Sequence, residues 1–174
     1  MSIGRITTPT GASVFVKVNE PDMTYGAPGS FTATISLSGD AADEFTLLMS
    51  SHVKNALRQL NSEGAEVTKE TLSMPVRVQE DGSVHITARV KAGGTNRKTG
   101  EEFFNSVSVV DVEGEDATSL LIGKGSKIKL SADVIPYNFK DKIGISLRLK
   151  SIQVVKLVEV ETKGASKKST NVPF

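Results

Sequence analysis

Apolar residues recur at every second position through most of this chain, and at helical spacing in one stretch only. That contrast limits the fold to a mainly β domain with a single long helix. Val14, Val16 and Val18 alternate with Phe15, Lys17 and Asn19. After Pro21 and the turn residues 26–29, Phe31, Ala33, Ile35 and Leu37 alternate with Thr32, Thr34 and Ser36. These two runs predict a hairpin-linked strand pair. The same period recurs in Val84, Ile86, Ala88 and Val90, in Ile128, Leu130, Ala132 and Val134, and in Ile143, Ile145, Leu147 and Leu149. Val76-Arg77-Val78 and residues 103–112 predict two further strands, and residues 136–140 read as an interrupting loop. The phase slips near Ser151-Ile152, which predicts a β-bulge.

The exception is Phe45, Leu48, Met49, His52, Val53, Ala56, Leu57 and Leu60, one stripe of an amphipathic helix over 43–61. Asp40 or Asp43 can cap its start, and Gly64 can end it. His52 lies in the apolar stripe and reads as a packed side chain. Period-2 strands bury one face each, so the helix must cover what the sheet leaves open. The expectation is one curved, mainly antiparallel sheet, closed or nearly closed as a five-stranded β-barrel, with the helix against it. The length of 174 residues suits one domain. Residues 1–12 read as a flexible leader, 13–159 as the folded domain and 160–174 as a disordered tail.

Several function classes fall away on composition. The absence of cysteine removes disulfides, thiol nucleophiles and thiolate zinc sites. Two histidines without metal-ligand spacing leave no centre to build, and no nucleophile elbow, zincin or dinucleotide motif is present. Gly123-Lys124-Gly125-Ser126 precedes a strand and reads as a hairpin turn rather than a phosphate loop. The expectation is a non-enzymatic protein with no cofactor and no metal. The chain has neither an apolar run of membrane-spanning length nor a signal-like start, and the expectation is an intracellular protein.

The net charge of +1 hides an asymmetry. Residues 1–90 carry 7 basic and 10 acidic side chains, whereas residues 91–174 carry 14 and 10. Three strands pair an apolar face with a cationic one: Arg89 with Lys91, Lys127 with Lys129, and Arg148 with Lys150. Arg97 and Lys98 stand in a glycine-rich loop, and Phe103, Tyr137 and Phe139 fall close to these cations, with Phe104 beside Phe103. Cations that neutralise phosphates, interleaved with rings on which bases stack, are what sequence-tolerant binding of a single strand requires. A solvated lysine face is the plainer alternative. A β-sandwich structural or assembly protein of a virion, with no nucleic-acid role, would share the alternation without needing the cations.

Four segments carry a family resemblance: Val109-Val110-Asp111, Ile122-Gly123-Lys124-Gly125-Ser126-Lys127-Ile128, Val134-Ile135-Pro136-Tyr137, and residues 144–155, which run from Gly144 to Val155. With the strand pair, the single helix and Phe174, the chain resembles the single-stranded DNA-binding proteins of bacteriophages, of the podovirus replication type. The resemblance implies an OB-fold that binds single-stranded DNA without sequence preference. It also implies work in phage DNA replication, recombination and repair, in the cytoplasm of the infected bacterial host. Its implied partners are the phage DNA polymerase or primase-helicase, reached through the C-terminal tail with Phe174 as the docking residue, and a second copy in a homodimer. One departure stands out. The family's tail is acidic, whereas residues 162–174 here hold three lysines and no acid.

Overall fold

The structure is a computed structural model and describes residues 3–23, 29–117, 122–139 and 142–158. Among these are ten strands and one helix: β1 (Gly4–Thr7), β2 (Gly11–Asp22), β3 (Ser30–Leu37), α1 (Asp40–Ser62), β4 (Val76–Val78), β5 (Val84–Lys91), β6 (Gly93–Thr95), β7 (Glu102–Phe104), β8 (Ser108–Val110), β9 (Lys127–Phe139) and β10 (Lys142–Lys156).

Five strands pair in a closed circuit. β2 pairs β3, β3 pairs β5, β5 pairs β10, β10 pairs β9, and β9 returns to β2. All these pairings are antiparallel except β5 with β10, where the register match is Arg89 with Arg148. The long β9–β10 hairpin is the backbone of the circuit. Its inward positions, including Ile128, Leu130, Ala132, Val134, Leu149 and Ile152, are fully or almost fully buried. Here the alternation read from the sequence and the observed burial agree at most positions; Asp133, on the outward phase, is the buried exception. The register breaks between Leu149 and Ser151, which places the bulge at Lys150, one residue before the expected slip.

Helix α1 buries Phe45, Met49, Val53, Ala56 and Leu60 on one stripe. Leu48 is 40% exposed and Leu57 half-buried, so the contacting stripe is narrower than the sequence suggests. The capping expectation is half corrected. Gly39 occupies the N-cap at φ 56° with no side-chain cap, while Asp40 and Asp43 sit inside the first turn, favourably placed for the helix dipole. At the other end Gly64 (φ 97°) donates to Asn61 O, and Ala65 donates to Leu60 O at 3.0 Å. This is the 5→2 and 6→1 pair of a glycine-terminated helix.

Two further expectations are corrected. Residues 4–7 are not a loose leader: they form β1, paired antiparallel with β9 from Gly4–Val134 to Thr7–Ser131, and bury Ile6 and Thr8. Four residues are too few to display a period. The His52 ring packs against Gly4, where an added Cβ would lie 2.7 Å from His52 Cε1. Residues 136–139 are not a loop either, since β9 continues through Pro136 with Ile145 opposite. Pro136 lies beyond the described pairing of β1 with β9, so its missing N–H removes none of the described ladder bonds. The strand expected over 103–112 is two short strands, β7 and β8. Residues 160–174, with Phe174, lie outside the described residues. No described helix is long and apolar enough to cross a membrane.

Candidate nucleic-acid interface

The parallel seam between β5 and β10 opens onto a groove of about 800 Å³. Its cations are Arg89 and Lys91 from β5 and Arg148 and Lys150 from β10. They converge because the Arg89–Arg148 register match sets the two strands' outward positions side by side. Phe103 from β7 and Tyr137 from β9 are its rings. Ile135 and the 74–75 segment complete the apolar wall, and among the described residues no carboxylate lines it.

Both rings rest over glycines. Gly94 pairs with Phe103, and a Cβ there would sit 2.8 Å from Phe103 Cζ. Gly144 pairs with Tyr137, and a Cβ there would sit 2.8 Å from the Tyr137 hydroxyl. A cross-strand glycine lets an aromatic side chain lie down over the backbone, with its other side toward the groove. The chain entering β4 is tied beside Gly144: Ser73 donates to Ile143 O at 2.9 Å, and Ile145 donates to Ser73 O at 2.8 Å.

The β6–β7 hairpin carrying Phe103 is pinned at its root, where the Asn105 side chain donates to Lys91 O and the Asn105 backbone donates to Ala92 O, both at 2.8 Å. At its tip the Asn96 side chain accepts from the backbone N–H groups of Lys98 and Thr99. Arg97 and Lys98 therefore stand exposed at the tip and do not line the groove wall. Lys127 and Lys129 do not line it either. Lys129 lies six residues from Ile135 on β9, about 20 Å away along the strand. Period-2 spacing assigns a face but not a distance along it. The Phe139 side chain lies outside the described residues. Phe104, beside the groove ring Phe103, is 82% exposed.

One acid borders the cations. Arg5 Nε donates to Asp133 Oδ1 at 2.8 Å, and Lys150 Nζ stands 3.6 Å from Asp133 Oδ2. Burial pushes the Asp133 carboxyl up, but the hydrogen bond and charge of Arg5, with the charge of Lys150, outweigh it and hold the group below its ordinary range. The stabilisation from a lowered carboxylate is complete above its unfolded value and is lost as pH falls through the folded one. Asp133→Asn should therefore lower stability slightly at pH 7, by at most ~1 kcal/mol given the exposed partners, read as a small drop in melting temperature. That difference should shrink as the pH falls below the ordinary carboxylate value of about 3.9 and through the lowered folded one. A gap that persists undiminished in acid would show that the carboxylate charge is not its source.

The family model described as single-stranded DNA-binding protein of bacteriophage T7 matches residues 36–160. The curated single-stranded DNA-binding proteins of Escherichia phage T7 and Enterobacteria phage T3 are each 32% identical over 92 residues. That stretch is 52% of this chain and 39% of each relative, so the alignment spans about two fifths of their length. The crystal structure of gp2.5, a single-stranded DNA binding protein encoded by bacteriophage T7, superposes with a TM-score of 0.68 at 21% identity, over 96% of this chain and 98% of that one. The single-stranded DNA-binding protein of bacteriophage Enc34, solved in complex with single-stranded DNA, gives 0.67 at 13% identity over 90% and 88%. These two likenesses show a shared fold. The family match runs from the end of β3 through the whole of β10, and the chain belongs to the bacteriophage T7 single-stranded DNA-binding protein family.

Proposed function

We propose that this protein is a non-enzymatic, sequence-independent single-stranded DNA-binding protein, and that the groove at the β5–β10 seam holds the strand. The observation that carries the reading is the convergence of four cations and two glycine-seated rings in a groove that no carboxylate of the described residues lines. Arg89, Lys91, Arg148 and Lys150 neutralise phosphates, and Phe103 and Tyr137 stack bases at about 1–3 kcal/mol each. Arg97, Lys98 and Phe104 extend the path along the β6–β7 hairpin, and Lys127 and Lys129 continue it along the outer face of β9. The closed circuit of strands is read as an OB-type barrel, which suits an open, sequence-tolerant groove. The family supports a place in phage DNA replication, recombination and repair inside the infected cell. The resemblance supports contact with a phage polymerase or primase-helicase through the C-terminal segment and Phe174, and pairing of two copies.

The test is a gel shift with labelled oligo-dT at two salt concentrations. Binding should be retained by oligonucleotides of other sequence and should weaken steeply with salt. Equal affinity at both salt concentrations would remove the phosphate reading, and a strong preference for one sequence would remove the stacking one.

A further inference from the structure

A second concavity lies between α1 and the β4–β5 hairpin, with a volume of about 360 Å³. Its walls are apolar: Met49, Val53 and Leu57 from α1 face Val76, Val78 and Val84 from β4 and β5. Val78 is 70% exposed, so this wall keeps apolar surface in water after folding. Among the described residues, the charged ones lining it are Lys54 and Lys69, with no carboxylate. Among the described residues neither ammonium has an ion-pair partner.

We propose that this groove docks an acidic segment of a partner protein. Its large apolar side chains would enter between α1 and β4 while its carboxylates meet Lys54 and Lys69. Apolar anchors in a groove supply affinity, and the charged rim selects the partner and speeds encounter. Charge argues against the other occupants. Residues 162–174 of this chain carry three lysines and no acid and would be repelled by the rim. A second copy docking through the same groove would set lysine against lysine. A DNA strand would meet valines and a methionine where it needs exposed rings.

The experiment uses the full chain and a fluorescein-labelled peptide of glutamates interspersed with leucine and phenylalanine. It reads anisotropy and maps the contact by NMR shifts. Binding should saturate and move Val53, Leu57, Val76 and Val78; Met74, which lines both grooves, is left out of the map. Lys54→Glu/Lys69→Glu should weaken it about tenfold or more, as charge reversal at a docking rim does. A sister peptide with lysines in place of glutamates should bind that variant instead. Val78→Asp should weaken binding too, and oligo-dT affinity should be unchanged throughout. That last arm separates failure here from failure of the DNA-binding reading. Shifts centred on Phe103 and Tyr137 would overturn the proposal, because the peptide would then be a mere polyanion on the basic groove. So would self-association abolished by Val78→Asp, or peptide binding that appears only after residues 159–174 are removed.

Discussion

Arg89→Ala/Arg148→Ala should weaken oligo-dT binding about 25-fold at 0.1 M salt and lower the salt slope by about 1.4. Each phosphate contact on a single strand contributes about 0.7 to that slope, which is about fivefold in affinity at this concentration. The two arginines are register neighbours across the seam and line the same groove, so one strand can engage both. Tyr137→Ala is the contrasting variant. It should cost about 1–3 kcal/mol, roughly 5- to 150-fold, and leave the slope where it was, because stacking releases no counterions. A titration series with both variants separates the two contributions. An unchanged slope in the double variant would show that the guanidinium groups do not sit on phosphates.

Leu130→Ala should destabilise the fold by about 2–5 kcal/mol through lost burial and a residual cavity. Leu130 is fully buried opposite Ile152, also fully buried, in the middle of the β9–β10 hairpin. Its backbone N–H is held by Thr8 Oγ1 at 2.9 Å, which fixes the strand and limits collapse into the void. At about 2–4 °C per kcal/mol for a chain of this size, melting should fall by roughly 4–20 °C. Leu57→Ala, on the open wall of the helix-side groove, should cost much less. Comparable losses at the two sites in calorimetry would mean that Leu57 is core after all.

Helix α1 and the strands β3, β5, β9 and β10 were legible because each is long enough to repeat its period several times. The bulge at Lys150 showed as a change of phase. β1 was not legible: four residues carry no period, and its pairing depends on a strand far along the chain. Pro136 read as a break because local chemistry cannot tell a paired edge from an open one. The site divides in the same way. Alternation showed that Arg89, Lys91, Arg148 and Lys150 face outward, but only the parallel seam brings them together. Lys127 and Lys129 show the same alternation but do not line the groove, lying eight and six residues from Ile135 along β9. The glycines under Phe103 and Tyr137 gave no signal of their own, since a cross-strand partner is fixed by register.

The circuit of strands closes where two guanidinium-bearing residues are register neighbours, Arg89 and Arg148. Like charges at adjacent strand positions push against the pairing that holds them there. Asp133 is the register partner of Arg148 on β9 and offsets part of that repulsion, but its carboxylate is already tied to Arg5 and Lys150. A polyanion laid across the two guanidinium groups would act as a clasp, replacing their repulsion with a shared counter-charge. On the proposed reading a bound strand would then also help to hold the β5–β10 seam together.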